Sequence, residues 1–240
     1  MSRGASPRVV GHGRFRETEA ALQFAPKHPV PIFPLPGAVL FPRVFLPLHV
    51  FELRYRTLVR ESLSGERMIV LALLKPGWEN DYHGSPPFHP VGCLARFEEV
   101  EWLPNDCYNL KVFGVARVRL GRVVREYPYR SATVSLLPEE PLSEDDPLTQ
   151  LERRALLDAH MRLLKALAPP GADLPPLDGT THLEPLVNTA CMSLIGDARM
   201  KLELLEMDSV LERSRRVRGL IEDHLRVQAK RPTPEPGDRN

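Results

Sequence analysis

Cysteine is scarce in this chain: Cys93, Cys107 and Cys191 are the only three in 240 residues, widely spaced and without a C-x-x-C pair. So sparse and odd a set argues against a disulfide framework or a structural zinc site, and it fits a reducing, cytoplasmic location. Excess charge is lacking too. A formal net charge of +1 gives no global pull toward nucleic acid or anionic membrane. No stretch approaches the ~20 consecutive apolar residues of a membrane helix, and the N-terminus has no apolar signal-peptide core. The chain contains no Gly-Lys dipeptide, which removes the G-x-x-x-x-G-K-[ST] loop of P-loop ATP hydrolysis. A G-x-S-x-G nucleophile elbow is missing as well, and isolated serines such as Ser131 and Ser193 are read as structural. No cofactor is expected.

Proline, by contrast, is abundant. Its 25 residues are roughly twice the usual ~5% frequency, which favours broken strands, loops and tails. The densest region is Pro31-Ile-Phe-Pro-Leu-Pro-Gly-Ala-Val-Leu-Phe-Pro-Arg-Val-Phe-Leu-Pro-Leu-His-Val-Phe-Glu-Leu-Arg-Tyr55. Proline has no N–H for a ladder, so Pro31, Pro34, Pro36, Pro42 and Pro47 cannot all occupy central strands. Short edge strands are expected instead, with a turn at Pro36-Gly37 between Ile32–Leu35 and Val39–Phe41. From Phe51 onward the spacing of Phe51, Tyr55, Leu58 or Val59, and Ser62 or Leu63 predicts a helix of about three turns ending near Gly65. Glu52 and Arg56 are placed in it as an i,i+4 pair.

Four segments are expected: a disordered leader over 1–28, a β domain over 29–140, a helical subdomain over 141–230 and a disordered Pro-rich tail over 231–240. Arg67–Lys75 is a continuous apolar run suited to burial on both faces. Pro76 to Pro90 holds four prolines and two glycines and reads as a long loop. Beyond it, alternating residues around Val91–Leu103, Tyr108–Val112, Val118–Leu120 and Tyr129–Leu137 predict strands. Six or seven short strands around one helix suggest a small, partly open barrel. Ser143-Glu-Asp-Asp-Pro147 is a helix start. The helix that follows carries one apolar face including Leu148, Leu151, Leu156 and Leu163 and a second with Leu157, Met161 and Leu164, predicting cover on two sides. A linker with Pro169-Pro170-Gly171 and Pro175-Pro176 follows, and then further helices. The last has an inner stripe of Val210, Ser214, Val217, Ile221, His224 and Leu225, with Arg213 partly outside it.

The motifs Pro34-Leu-Pro-Gly37, Leu40-Phe-Pro42, Pro47-Leu-His-Val-Phe-Glu52 and Arg54-Tyr55 resemble the opening of the Lon N-terminal, substrate-binding domain. Leu71-Ala-Leu-Leu-Lys-Pro-Gly77, Val91-Gly-Cys93 and Gly114-Val-Ala-Arg117 continue the match in the same order and spacing. Two residues depart from it: Leu53 stands where a proline is usual, and Ala116 precedes Arg117 where a second basic residue is common. The resemblance implies an α+β fold: a PUA-like β pseudobarrel with one short helix, followed by a helical bundle ending in a long helix. It also implies that Pro34, Pro36, Gly37, Phe41, Pro42, Pro47, Phe51, Glu52, Arg54, Tyr55, Gly114 and Arg117 are family-signature residues with structural roles. Nothing downstream resembles the ATPase or Ser-Lys peptidase of a Lon enzyme, so a stand-alone, non-catalytic binding module is expected. Its partner would be unfolded or extended polypeptide or another protein, in an adaptor or chaperone-like role in protein quality control.

Trp78, Tyr82 and Phe88 are the candidate substrate-binding residues, because aromatics on a long loop could grip extended polypeptide. A loop that folds back to cap the barrel explains them equally well. Two other readings stay open. Arg117, Arg119, Arg122, Arg125 and Arg130 could form an RNA-binding strip, although solvated strand faces account for them more simply. His83, His89 and Cys93 could hold a metal if their loop folded back, although their irregular spacing argues against it; a small hydrolase is the remaining alternative, with no residues to carry it.

Overall fold

The computed structural model describes residues 26, 28–82, 84–169, 171, 181–194 and 196–229. The expected leader, apart from Pro26 and His28, the expected tail and Pro175-Pro176 lie outside these residues. The described chain is α+β, as expected. Its strands are β1 (Val30–Leu35), β2 (Phe45–Val50), β3 (Met68–Leu74), β4 (Phe88–Trp102), β5 (Tyr108–Arg125) and β6 (Ser131–Leu136). Helix α1 (Leu53–Leu63) follows β2, and α2 (Pro147–Leu167), α3 (Leu183–Ser193), α4 (Ala198–Glu206) and α5 (Val210–Ala229) follow the last strand. Among the described residues no helix is long and apolar enough to cross a membrane.

The sheet runs β2-β5-β4-β3-β1-β6, and β6 pairs back onto β5, which closes a ring of five strands with β2 appended to the first half of β5. Two strands are long, at 15 and 18 residues, where only short ones were expected. Bulges opposite Leu94/Ala95 and Phe97/Glu99 let this one hairpin bend and serve both the ring and its extension. Val39–Phe41 is a buried crossing segment and not a strand. It fits because β5 carries Gly114 beneath it, where a Cβ would overlap the Phe41 carbonyl.

The prolines obey the ladder. Ile32 N donates to Arg130 O at 2.8 Å, so alternate residues of β1 face β6. Next in that series is Pro34, which has no donor, and the β1–β6 pairing is confined to Val30 and Pro31. In β2, Val44 O accepts from Gly114 N at 2.9 Å, so Leu46, Leu48 and Val50 face β5 and Pro47 faces the free edge.

Three apolar clusters fill the molecule. Val30, Ile32, Val70, Ala72, Leu94, Val118, Leu120 and Ala132 occupy the ring interior. On the other face of β3 and β4, Ile69, Leu71, Cys93 and Ala95 meet Tyr55, Leu58 and Val59 of α1. Both faces of the apolar run are therefore buried. Leu73 and Val91, with Val39 and Phe41, join the core of α2 to α5. In α2 the cap is Asp146, whose carboxylate accepts from Thr149 N at 3.0 Å. Two-sided cover does not extend to the first turns: Leu148 and Leu151 are exposed, while Thr149 and Glu152 turn inward. Glu152 does so because Ser214 and Arg218 of α5 bond its carboxylate.

Buried arginines join the strands to the helices. Arg117, only 1% exposed, donates to Leu205 O, Met207 O, Pro138 O and Asp208 Oδ1, each at 2.9 Å, and its Nε lies 2.9 Å from Glu139 Oε1. Arg213, expected partly outside the inner stripe, is fully buried and donates to Glu139 Oε2, Asn188 Oδ1 and Met207 O. Glu139 thus bridges two guanidinium groups. Removing Arg117 leaves the carbonyl acceptors of this network and the largely covered Glu139 without their donor. Arg117→Ala is expected to cost about 3 kcal/mol, read from urea unfolding, whereas Arg119→Ala on the exposed face of β5 is expected to change stability by less than about 0.5 kcal/mol.

His160 of α2 is fully buried. Ser193 Oγ lies 3.0 Å from Thr189 O and 2.9 Å from His160 Nε2; with its proton on Thr189 O it accepts from Nε2, and Nδ1 has no partner among the described residues. That polarity makes the imidazole a donor to the serine and not its base. Burial holds its pKa below the ordinary 6.5. As pH falls through that value the unfolded chain takes up a proton that the folded chain refuses, so stability present above it is lost below it. Urea midpoints should fall between about pH 7 and about pH 5, and His160→Leu should flatten part of that slope. His89, also depressed by burial, supplies another part.

Candidate functional site

The parting of β1 and β6 at Pro34 opens a cleft of about 550 Å³. Its walls are the first turn of α1, Gly84 and Ser85 of the loop before β4, and the turn 126–130 between β5 and β6. Pro34, Tyr55 and Tyr129 are buried and form an apolar floor. At the rim stand Leu53, 66% exposed, and Tyr127, 86% exposed, with the exposed carboxylate of Glu126 beside them.

Arg54 holds one wall in place. Its guanidinium pairs with Glu52 at 3.0 Å, donates to Tyr82 O at 2.8 Å and to Gly84 O at 3.2 Å, and lies over the Tyr55 ring at 4.7 Å. Tyr82 Oη donates to the other oxygen of Glu52. The expected Glu52–Arg56 pair is absent, since Arg56 reaches Asp106 instead, at 3.1 Å. Arg130 holds the loop further on, donating to Pro86 O at 2.7 Å with its guanidinium 4.6 Å from the Phe88 ring centroid. Burial lowers its pKa. On the opposite wall Tyr129 Oη donates to Glu61 Oε2 at 2.5 Å and Arg125 Nη1 reaches the same oxygen at 2.7 Å, which draws the Glu61 carboxyl below its usual range. Burial, chiefly, pushes Tyr55 and Tyr129 to about 12. The rings of the floor therefore stay neutral.

The signature residues divide. Pro34, Glu52, Arg54 and Tyr55 line the cleft. Pro36 and Gly37 form an exposed bend, Phe41, Pro42 and Gly114 make the buried crossing, Pro47 sits on the edge strand, and Arg117 joins strands to helices. Phe51, counted above in the helix stripe, precedes α1 and is 61% exposed, stacked near His49. Trp78, Tyr82 and Phe88 are half-buried and engaged with one another or with the barrel: Trp78 meets Tyr82 edge-on at 5.4 Å, Tyr82 is fixed to Glu52, and Phe88 lies under Arg130. The loop is folded back, and it contributes a wall through Gly84 and Ser85. Leu53, Glu126 and Tyr127 went unnoticed in the sequence, although Tyr127-Pro128-Tyr129 is an aromatic turn and Leu53 a visible departure from the family pattern.

The other groupings come apart. Arg117 is buried and Arg125 and Arg130 are engaged as above, so the five arginines make no continuous strip. His83 lies outside the described residues. His89 and Cys93 are four positions apart on one extended strand, a rise of about 13 Å, too far to share a metal. Burial pushes the Cys93 thiol far up, against metal binding as a thiolate.

A closed strand ring with an appended helical bundle is the architecture of a PUA-like pseudobarrel with a helical extension. Residues 29–223 match the family described as the ATP-dependent protease La (LON) substrate-binding domain, and the chain belongs to that family. It is 30% identical over 110 residues to a Lon protease of Desulfosudis oleivorans, covering 46% of this chain and 14% of that protein. It is 26% identical over 200 residues to Lon protease 2 of Herpetosiphon aurantiacus, covering 82% and 24%. The chain thus spans less than a quarter of the length of these relatives. Two solved structures share the fold. The N-terminal domain of the Mycobacterium avium complex Lon protease superposes with a TM-score of 0.61 at 17% identity, covering 82% of this chain and 100% of that one. A Lon N-terminal domain protein from Xanthomonas campestris gives 0.55 at 24% identity, covering 85% and 99%.

Arg54→Met removes both guanidinium hydrogen bonds to the loop, those to Tyr82 O and Gly84 O, at once. Amide exchange over residues 78–87 should then accelerate while β3 stays protected, with a loss of about 2 kcal/mol in global stability.

Proposed function

We propose that this chain is a non-catalytic substrate-recognition module that binds apolar segments of unfolded or extended polypeptide in the cleft beside α1. The observation that carries it is the pairing of Leu53 and Tyr127 at the rim of an apolar floor. A single exposed leucine means nothing by itself. Two large, exposed apolar side chains that line one concave site, with the floor rings kept neutral, form a receptor for an apolar side chain. The walls are fixed by hydrogen bonds from Arg54, Arg130 and Arg125, so little ordering is needed on binding. Membership of a family described by substrate binding supports the same role, and the reading extends to an adaptor or chaperone-like part in protein quality control. Trp78, Tyr82 and Phe88 act in this reading as supports of the wall.

Fluorescence anisotropy with a labelled, permanently unfolded client tests the proposal. Leu53→Ser and Tyr127→Ser are each expected to weaken binding by about 5- to 10-fold, as for contacts worth more than 1 kcal/mol, without moving the urea midpoint. Client binding indifferent to both substitutions contradicts it.

A further inference from the structure

The charge in the cleft is unevenly available. Every nitrogen of the Arg54 guanidinium is bonded to protein, and both oxygens of its partner Glu52 are taken, one by Arg54 and one by Tyr82. Arg130 sits deeper, half-buried against Phe88 and bonded to Pro86 O, with Glu126 and Asp81 in its field. Arg125 is paired with Glu61. Glu126 differs from all of these. It is exposed, and it forms no hydrogen bond or ion pair among the described residues. It is also next in sequence to Tyr127, whose ring is the most exposed aromatic at the rim and whose carbonyl is held by Arg125 Nε at 3.1 Å.

A carboxylate beside an exposed aromatic ring suits a cation: the carboxylate gives an ion pair and the ring face a cation–π contact. Building on the cleft reading above, we propose that the site selects apolar polypeptide segments that carry a lysine or arginine next to the buried side chain, and disfavours segments flanked by acidic residues. The apolar side chain enters between Leu53 and Tyr127 onto Tyr55 and Tyr129. The neighbouring cation lies over Tyr127 against Glu126. A glutamate in that position meets Glu126 instead.

The test uses the full chain and three labelled peptides that share one leucine- and phenylalanine-rich core, flanked on both sides by lysine, by glutamine or by glutamate. At low salt the lysine peptide is expected to bind about 5-fold more tightly than the glutamate peptide, a rim-charge effect, and the ratio should shrink toward one at about 0.5 M salt. Glu126→Lys should invert the order of the two charged peptides, and Tyr127→Leu should reduce the lysine preference. If the glutamine peptide binds and responds to Leu53→Ser, but the charged peptides bind equally or Glu126→Lys leaves their ratio unchanged, the charge selection is wrong and the cleft stands. If none of the three peptides binds, the cleft reading fails and the selection with it.

Discussion

The buried guanidinium of Arg117 is the interaction on which the rest of the arrangement depends. A charge at that depth is tolerable only when it is closely compensated, and here Nη1 and Nη2 donate to three backbone carbonyls and to Asp208, while Glu139 ion-pairs with Nε at 2.9 Å without hydrogen-bond geometry. Those acceptors come from the end of α4, from the segment leading into α5 and from the chain leaving β6. One residue of β5 therefore fixes where the helices sit against the ring. Lysine could not substitute, because a point charge cannot reach acceptors spread around a planar fork. Glu139 extends the constraint to Arg213 and through it to Asn188 of α3. The resulting contact carries no chemistry of its own, and it leaves the far edge of the ring free to serve as a site.

That site arises from what proline lacks. At Pro34 the β1–β6 ladder has no donor with which to continue, and the two strands separate. The gap is lined by the turn that β1 would otherwise have met and by the first turn of α1. Arginines then fix its walls: Arg54 and Arg130 bind the preceding loop through carbonyl oxygens, and Arg125 braces the turn through Glu61. Loops so held behave as parts of the scaffold, which is what a concave receptor for an extended ligand needs.

Much of the fold was legible because the sequence patterns were strong. The apolar run in β3, the helical spacing of Tyr55, Leu58 and Val59, and the order of the motifs all correspond to observed structure. What was not legible depended on contacts distant in sequence. Arg213 looked like a flank of a helix stripe until Glu139 and Asn188 were seen to enclose it. Leu148 and Leu151 fit an inner face on a helical wheel, yet α2 is rotated so that Glu152 can meet Ser214 and Arg218. The residues around Gly114 fit either a bend or one joined strand, and what decides for the joined strand is the carbonyl of Phe41, far away in sequence. At the cleft, Pro34, Glu52, Arg54 and Tyr55 were marked by the family pattern as structural residues. Leu53 and Tyr127 were missed because exposure at one concave site is a property of packing, which periodicity does not encode.

The central claim is that an apolar polypeptide segment is received at the parting of β1 and β6. The most direct measurement is a titration of the isotope-labelled chain with a neutral, apolar, extended peptide, followed by amide chemical shifts. The account predicts saturable shifts concentrated at residues 53–57, 84–85 and 126–130, with the segment 205–209 around Arg117 unmoved. Saturable shifts confined to another surface, such as the exposed face of β2 with Phe45 and His49, would contradict it.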